Sequence, residues 1–221
     1  SLPRLANKRA LLCFNGCDYD ADVWVNGEHA VFHRGAFAPF CADVTELLKT
    51  GQNVVVVRCC DELDARVPRG KQSWTGERFG CWYIPNTGIW QSVWLEFFGA
   101  DCIVRRSLIP DITACAFSGE IVTMYGRADE AEITVSYGGE LIKRVRFSLD
   151  GKLTPYTVRL LEGDKVDESH YWTPEKPNLF YVDFTLYVKG EVADRAHTRF
   201  GMRKISAGPD GHILLNDRPY Y

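Results

Sequence analysis

Apolar and polar residues alternate with a period of two along most of the chain, and helical periodicity is almost absent. Ile133, Val135 and Tyr137 alternate with Glu132, Thr134 and Ser136, and Gly138-Gly139 then turns the chain into a second run over 141–149. Phe180, Val182, Phe184, Leu186 and Val188 form one face of a strand, Tyr181, Asp183, Thr185 and Tyr187 the other, and Gly190 turns it into 192–200. Val54–Val57 is continuously apolar, which predicts a strand covered on both faces. One helical turn is expected, with Asp43 as its cap, Glu46 three residues on, Leu47 and Leu48 facing inward and Gly51 as its stop. Short strands with regular turn signals predict an all-β protein built of β-sandwiches.

The texture of the chain changes twice. Residues up to about Phe98 hold five of the six tryptophans and most glycine-rich loops, and plainer alternating strands with charged outer faces follow from Gly99. After Arg203, Gly208-Pro209-Asp210-Gly211 introduces a short strand, an Asn216-Asp217 turn and the end of the chain at Tyr220-Tyr221. With 221 residues, two small domains or one large β-domain are both allowed.

Composition narrows the function classes. Apolar residues make up 46% and charged residues 25%, as in a soluble globular protein with a real core. A net charge of −3 without a basic stripe argues against nucleic acid as a partner. No apolar run approaches the roughly 18 residues of a membrane span, so no membrane partner is expected, and the N-terminus lacks a signal-peptide pattern. A start at Ser1 instead of Met suggests a processed or engineered beginning. The eight cysteines include no CxxC pair and no zinc spacing, and they read as buried thiols in a reducing, cytoplasmic compartment, with disulfides as the alternative. His29 and His33 lack a third ligand, so no metal site and no cofactor are expected. Glu120, Glu132 and Glu140 are solvent-facing strand positions, and the chain carries no phosphate loop or nucleophile elbow.

Taken in order, several motifs resemble the N-terminal half of glycoside hydrolase family 2, the β-galactosidases, β-glucuronidases and β-mannosidases. They begin with Val23-Trp24-Val25-Asn26-Gly27-Glu28, then His33, Gly35, Phe37, Pro39, Phe40 and Asp43-Val44-Thr45. Gly51-Gln52-Asn53 opens the apolar strand, and Pro68-Arg69-Gly70-Lys71-Gln72-Ser73-Trp74 and Thr87-Gly88-Ile89-Trp90-Gln91-Ser92-Val93-Trp94-Leu95-Glu96 follow. Trp172-Thr173-Pro174-Glu175-Lys176-Pro177, Phe200-Gly201-Met202-Arg203 and Leu215-Asn216-Asp217-Arg218-Pro219 complete the series, with Met202 where Phe is commoner and Asp217 where Gly is usual.

The resemblance implies three parts. Residues 1–98 would be a jelly-roll-like sugar-binding domain lacking its first strands, 99–202 an immunoglobulin-like sandwich, and 203–221 the cut start of a (β/α)8 catalytic barrel. It implies a non-catalytic part of a retaining enzyme that hydrolyses terminal β-glycosides, with carbohydrate and the missing barrel as partners and a homo-oligomeric parent as a possibility. The catalytic carboxyl pair would lie outside this chain. Asp61 stands where the β-galactosidases place an aspartate that binds a sugar hydroxyl, and the plain alternative is a turn-capping Asp. Arg69, Lys71, Gln72 and Trp74 would border a sugar subsite or brace this domain against the barrel. Trp24 and Trp94 are expected in the core, Trp90 and Trp172 as structural anchors, and Trp82 and Tyr83 on the surface. A free-standing lectin-like module and a structural tandem sandwich are the rival readings.

Overall fold

The structure, a computed structural model, describes residues 8–160 and 166–220. Residues 1–7, at the head of the first expected domain, and Tyr221, at the end of the last, lie outside the described residues. The chain divides into two compact units, one through Phe98 and one from Gly99.

The first unit contains β1 (Arg9–Phe14), β2 (Cys17–Asp18), β3 (Asp20–Val25), β4 (Glu28–Arg34), β5 (Phe40–Asp43), β6 (Val55–Cys60), β7 (Gly88–Ile89) and β8 (Val93–Phe98). They form two three-stranded antiparallel sheets, ordered β5-β1-β8 and β4-β3-β6, and a ribbon of β2 with β7. Strand alternation sends Ala10, Leu12 and Phe14 from β1 and Val23 and Val25 from β3 into one core, joined by Ala42 and Val44. Phe40 stacks on Phe14 at 4.7 Å and on His33 at 4.2 Å.

The second unit contains β9 (Ile103–Arg106), β10 (Ile109–Asp111), β11 (Ala116–Thr123), β12 (Glu130–Tyr137), β13 (Glu140–Ser148), β14 (Leu153–Arg159), β15 (Phe180–Val188) and β16 (Glu191–Phe200). A four-stranded sheet, β13-β12-β15-β16, belongs with a second sheet in which β11 pairs β14 on one side and β9 and β10 on the other. Phe117, Ile121, Ile133, Phe180, Phe184 and Met202 are buried in the shared core, each large apolar side chain contributing roughly 1.5–3 kcal/mol. Where the chain breaks between β9 and β10, the Tyr156 hydroxyl donates to the Ser107 carbonyl at 2.7 Å. A Cβ on Gly119 would run into that same carbonyl, so only glycine lets β11 pass. A small sheet of β17 (Ile205–Ala207), β18 (Ile213–Leu215) and β19 (Arg218–Pro219) closes the unit.

The fold is all-β, a jelly-roll-like sandwich followed by an immunoglobulin-like one. The hairpin turns follow from local chemistry. Asn26-Gly27, Gly138-Gly139, Lys189-Gly190 and Asn216-Asp217 all place two consecutive residues at positive φ, as a two-residue turn between right-twisted strands requires. Asn26 is further fixed by its side chain, which donates to the Leu47 carbonyl at 2.7 Å and accepts from Val54 N at 3.0 Å.

Three expectations need correction. Val54, Val55 and Val56 are 55%, 45% and 53% exposed, because β6 ends its sheet and pairs only with β3 among the described strands. Trp24 points away from the core, where Ala21, Val23 and Val25 point inward; it packs against His29 at 5.4 Å and the Arg58 guanidinium at 6.0 Å. Trp94, on the end strand β8, is 36% exposed and donates from Nε1 to Glu96 at 2.8 Å. The expected helical segment is a single 3₁₀ turn, Thr45–Leu47, bounded by Val44 and Leu48 instead of Asp43 and Gly51 and without a side-chain cap, although Asp43 accepts from Thr45 N at 3.0 Å.

Trp90 and Trp172 do act as anchors. Trp90 donates from Nε1 to the Ala36 carbonyl at 2.8 Å, and its ring leaves no room for a Cβ at Gly16. Trp172 lies under the Arg203 guanidinium at 4.6 Å and against Gly201, and its amide donates to the Met202 carbonyl at 2.9 Å.

Candidate functional site

The long connection from Asp61 to Thr87, between β6 and β7, carries every residue singled out for substrate binding. The five do not converge. Asp61 and Arg69 turn inward and meet, with Nη2 of Arg69 donating to Asp61 Oδ1 at 2.9 Å and to the Glu62 carbonyl at 2.5 Å. Their side chains are only 3% and 6% exposed. A longer contact runs from Nη1 to the Ser73 carbonyl at 3.4 Å, and Nε is buried without a partner. The guanidinium thus ties the start of the connection to its middle, around a Ser73 that is itself fully buried.

Gln72 serves a second tie. Its amide nitrogen donates to Asp18 Oδ2 at 2.9 Å, and its oxygen accepts from Asn86 N at 2.6 Å, linking β2 to the residues leading into β7. Asp18 is buried and is joined to Tyr19 through a cis peptide bond. Lys71 and Trp74 point outward. Backbone hydrogen bonds from Tyr83 N to the Lys71 carbonyl (2.8 Å) and from Ser73 N to the Tyr83 carbonyl (2.7 Å) lay the two arms of the connection side by side. Trp74 meets Phe79 edge-on at 5.2 Å and Trp82 at 5.0 Å. With Trp74 42%, Tyr83 59% and Ile84 61% exposed, the arms present an aromatic surface beside Lys71. Such faces stack on flat apolar sides of ligands, while the lysine offers charged donors.

At the start of the connection lies a cleft of about 280 Å³ lined by Tyr19, Asp20, Arg34, Cys60, Asp61, Glu62, Asp64 and Val67. Its carboxylates behave differently. Asp20 is held by Arg34 in a two-point contact of 2.7 and 2.6 Å, which keeps its carboxyl below the usual range. Arg66 donates to Asp64 from side chain and backbone, bringing that carboxyl down to about 2. Asp61 moves the other way, because burial raises it more than Arg69 lowers it, and Asp18 adds to the rise.

The folded chain therefore binds the Asp61 proton more tightly than the unfolded chain does. The stability from this group is complete below the ordinary value of 3.8 and is lost as the pH rises through the higher folded value. A carboxyl-detected NMR titration should place the Asp61 midpoint above 3.8, and a midpoint at or below it would mean that the ion pair outweighs burial.

Sequence reasoning missed Asp18, Ser73 and Asp101. Asp18 stands in Cys17-Asp18-Tyr19-Asp20, where no periodicity distinguishes an inward carboxylate from a surface one. Asp101 is fully buried at the start of the second unit and accepts from the amides of Cys102 (2.9 Å), Tyr125 (2.9 Å), Arg127 (2.7 Å) and Ala128 (3.0 Å). Three of these four partners lie 24 to 27 residues away, beyond the reach of local patterns.

Comparison with known proteins places these features in a lineage. A family model described as glycosyl hydrolase 2 galactose-binding domain-like matches residues 2–89, and the model for glycosyl hydrolases family 2 matches residues 101–203. The chain is 26% identical over 219 residues to a putative β-glucuronidase of Formosa agariphila, an alignment covering 96% of this chain and 25% of that protein. It is 24% identical to a β-galactosidase of Thermoanaerobacter pseudethanolicus, covering 98% and 29% respectively. The chain thus spans about a quarter to a third of the length of these relatives. The crystal structure of a Bacteroides uniformis β-glucuronidase superposes on all of this chain, over 27% of its own, with a TM-score of 0.73 at 19% identity. A Ruminococcus gnavus β-glucuronidase in complex with D-glucuronic acid gives 0.68 at 21% identity, covering 97% of this chain and 37% of that one. Two models of one family match in succession and the relatives align across nearly the whole chain, so this protein belongs to glycoside hydrolase family 2.

Proposed function

We propose that this chain is a non-catalytic part of an enzyme that hydrolyses terminal β-glycosides with retention, and that its 61–87 connection forms one wall of the sugar pocket. The observation carrying this reading is the division of labour along that connection. Asp61–Arg69 and Asp18–Gln72 hold it from within, and Lys71, Trp74 and Tyr83 are displayed outward. A rigid wall bearing aromatic faces and a cation suits a polar ring with apolar sides, the chemistry of a pyranose. Asp61 also lines the cleft, where the carboxylate oxygen not engaged by Arg69 is the acceptor for a sugar hydroxyl. The acid/base and nucleophile carboxyls, about 5–5.5 Å apart in a retaining enzyme, belong to a following barrel that residues 203–221 would begin.

In the full-length enzyme, Asp61→Asn should raise KM and lower kcat, with kcat/KM falling at least roughly tenfold, the equivalent of losing one charge-assisted hydrogen bond. Unchanged kinetics would remove Asp61 from the sugar site. The chain alone should not turn over nitrophenyl glycosides, and turnover at the full-length enzyme's rate would overturn its non-catalytic assignment.

A further inference from the structure

Cys17 on β2 and Cys59 on β6 have their sulfurs 3.2 Å apart, although β2 and β6 belong to different sheets and the residues are 42 positions apart in sequence. Cys17 is fully buried, and Cys59 is partly exposed. Strand alternation turns Cys60 to the opposite face, so Cys59 alone of the adjacent pair reaches Cys17. A disulfide needs its sulfurs at about 2.03–2.05 Å, so closing this pair takes an approach of about 1.2 Å. The pair also sits at the root of the 61–87 connection. Asp18, next to Cys17, holds Gln72, and Asp61, two residues after Cys59, holds Arg69.

We propose that Cys17 and Cys59 form a reversible dithiol–disulfide site, oxidised by a small-molecule disulfide such as oxidised glutathione. The Cys59 thiolate attacks one sulfur of the reagent, forming a mixed disulfide and releasing one glutathione thiolate. Cys17 then gives up its proton and attacks Cys59 Sγ, forming the Cys17–Cys59 bond and releasing the second glutathione. Two electrons pass to the reagent and two thiol protons leave the protein. Burial, followed by the hydrogen bond with Cys59, pushes the Cys17 thiol up to about 12, so the reaction enters at Cys59 and the buried sulfur acts second. The bond would fasten β2 to β6, and with them the two ties of the connection. Its formation is independent of the sugar-binding reading.

The test is mass spectrometry of the chain after treatment with oxidised glutathione and alkylation. The expected product has lost two hydrogen atoms and yields a tryptic cross-link between residues 10–34 and 59–66, with fragmentation placing it at Cys17 and Cys59. Dithiothreitol should reverse it, and it should be absent from Cys17→Ser and Cys59→Ser but present in Cys60→Ser. The Cys59 variant, altered at a partly exposed position, guards against misfolding of the Cys17 variant. Three outcomes would overturn the proposal. These are full alkylation of all eight thiols after treatment, a lasting glutathione adduct on Cys59 with Cys17 still alkylatable, or a cross-link confined to Cys13 and Cys41, which face each other across β1 and β5.

Discussion

Arg69→Ala is expected to destabilise the first unit by about 3–5 kcal/mol at neutral pH, the cost of leaving one member of a buried ion pair alone. The guanidinium is the only cation bonded to Asp61 among the described residues, and the Asp61 side chain is 3% exposed. Removing it also strips the Glu62 carbonyl of its 2.5 Å donor. The carboxylate will then take up a proton more readily than in the intact chain, so the loss should shrink as the pH is lowered. Removing both charges, as in Asp61→Ala with Arg69→Met, should recover most of the stability, since apolar replacement of a buried pair is often neutral or better. The unpartnered Nε shows that the pair is incompletely satisfied as it stands. Urea denaturation followed by tryptophan fluorescence reads the effect directly. A loss below about 1 kcal/mol for Arg69→Ala would mean that the pair behaves as a solvated surface contact.

Asp101→Asn is expected to cost the second unit about 3–5 kcal/mol, although it changes the shape of the side chain hardly at all. Asp101 Oδ1 accepts from Cys102 N and Tyr125 N, and Oδ2 accepts from Arg127 N and Ala128 N. An asparagine has one oxygen and one NH2 group, so whichever way it is turned, two buried amides face a donor instead of an acceptor. Each such loss costs roughly 1–3 kcal/mol. Three of the four bonds fix the chain between β11 and β12, so amide hydrogen exchange should accelerate first at Tyr125, Arg127 and Ala128. Uniform exchange across the unit, with stability unchanged, would mean that solvent replaces the carboxylate without penalty.

What could be read from the residues was the part written in neighbouring positions. Alternation over Glu130–Tyr137 and Phe180–Val188 announced both the strands and their inward faces, because successive side chains in a strand must point to opposite sides. Paired turn residues at Asn26-Gly27 and Gly138-Gly139 announced the hairpins, because few residues adopt two positive φ angles in a row. The candidate connection was located by its Pro68–Trp74 motif, but its chemistry was not.

Only the tertiary structure decided which of its polar residues turn inward. Arg69 and Gln72 face Asp61 and Asp18, while Lys71 and Trp74 face out. The same limit explains Val54–Val56 and Trp24, whose apolar character suggested burial, whereas the place of β6 at the end of its sheet left the valines exposed and the outward phase of Trp24 on β3 left it only half-buried. By itself the sequence determined strands, turns and the order of family motifs, since these depend on backbone preferences over a few residues. Burial and pairing depend on which distant segment arrives alongside, a matter settled by packing across tens of residues that local periodicity does not encode.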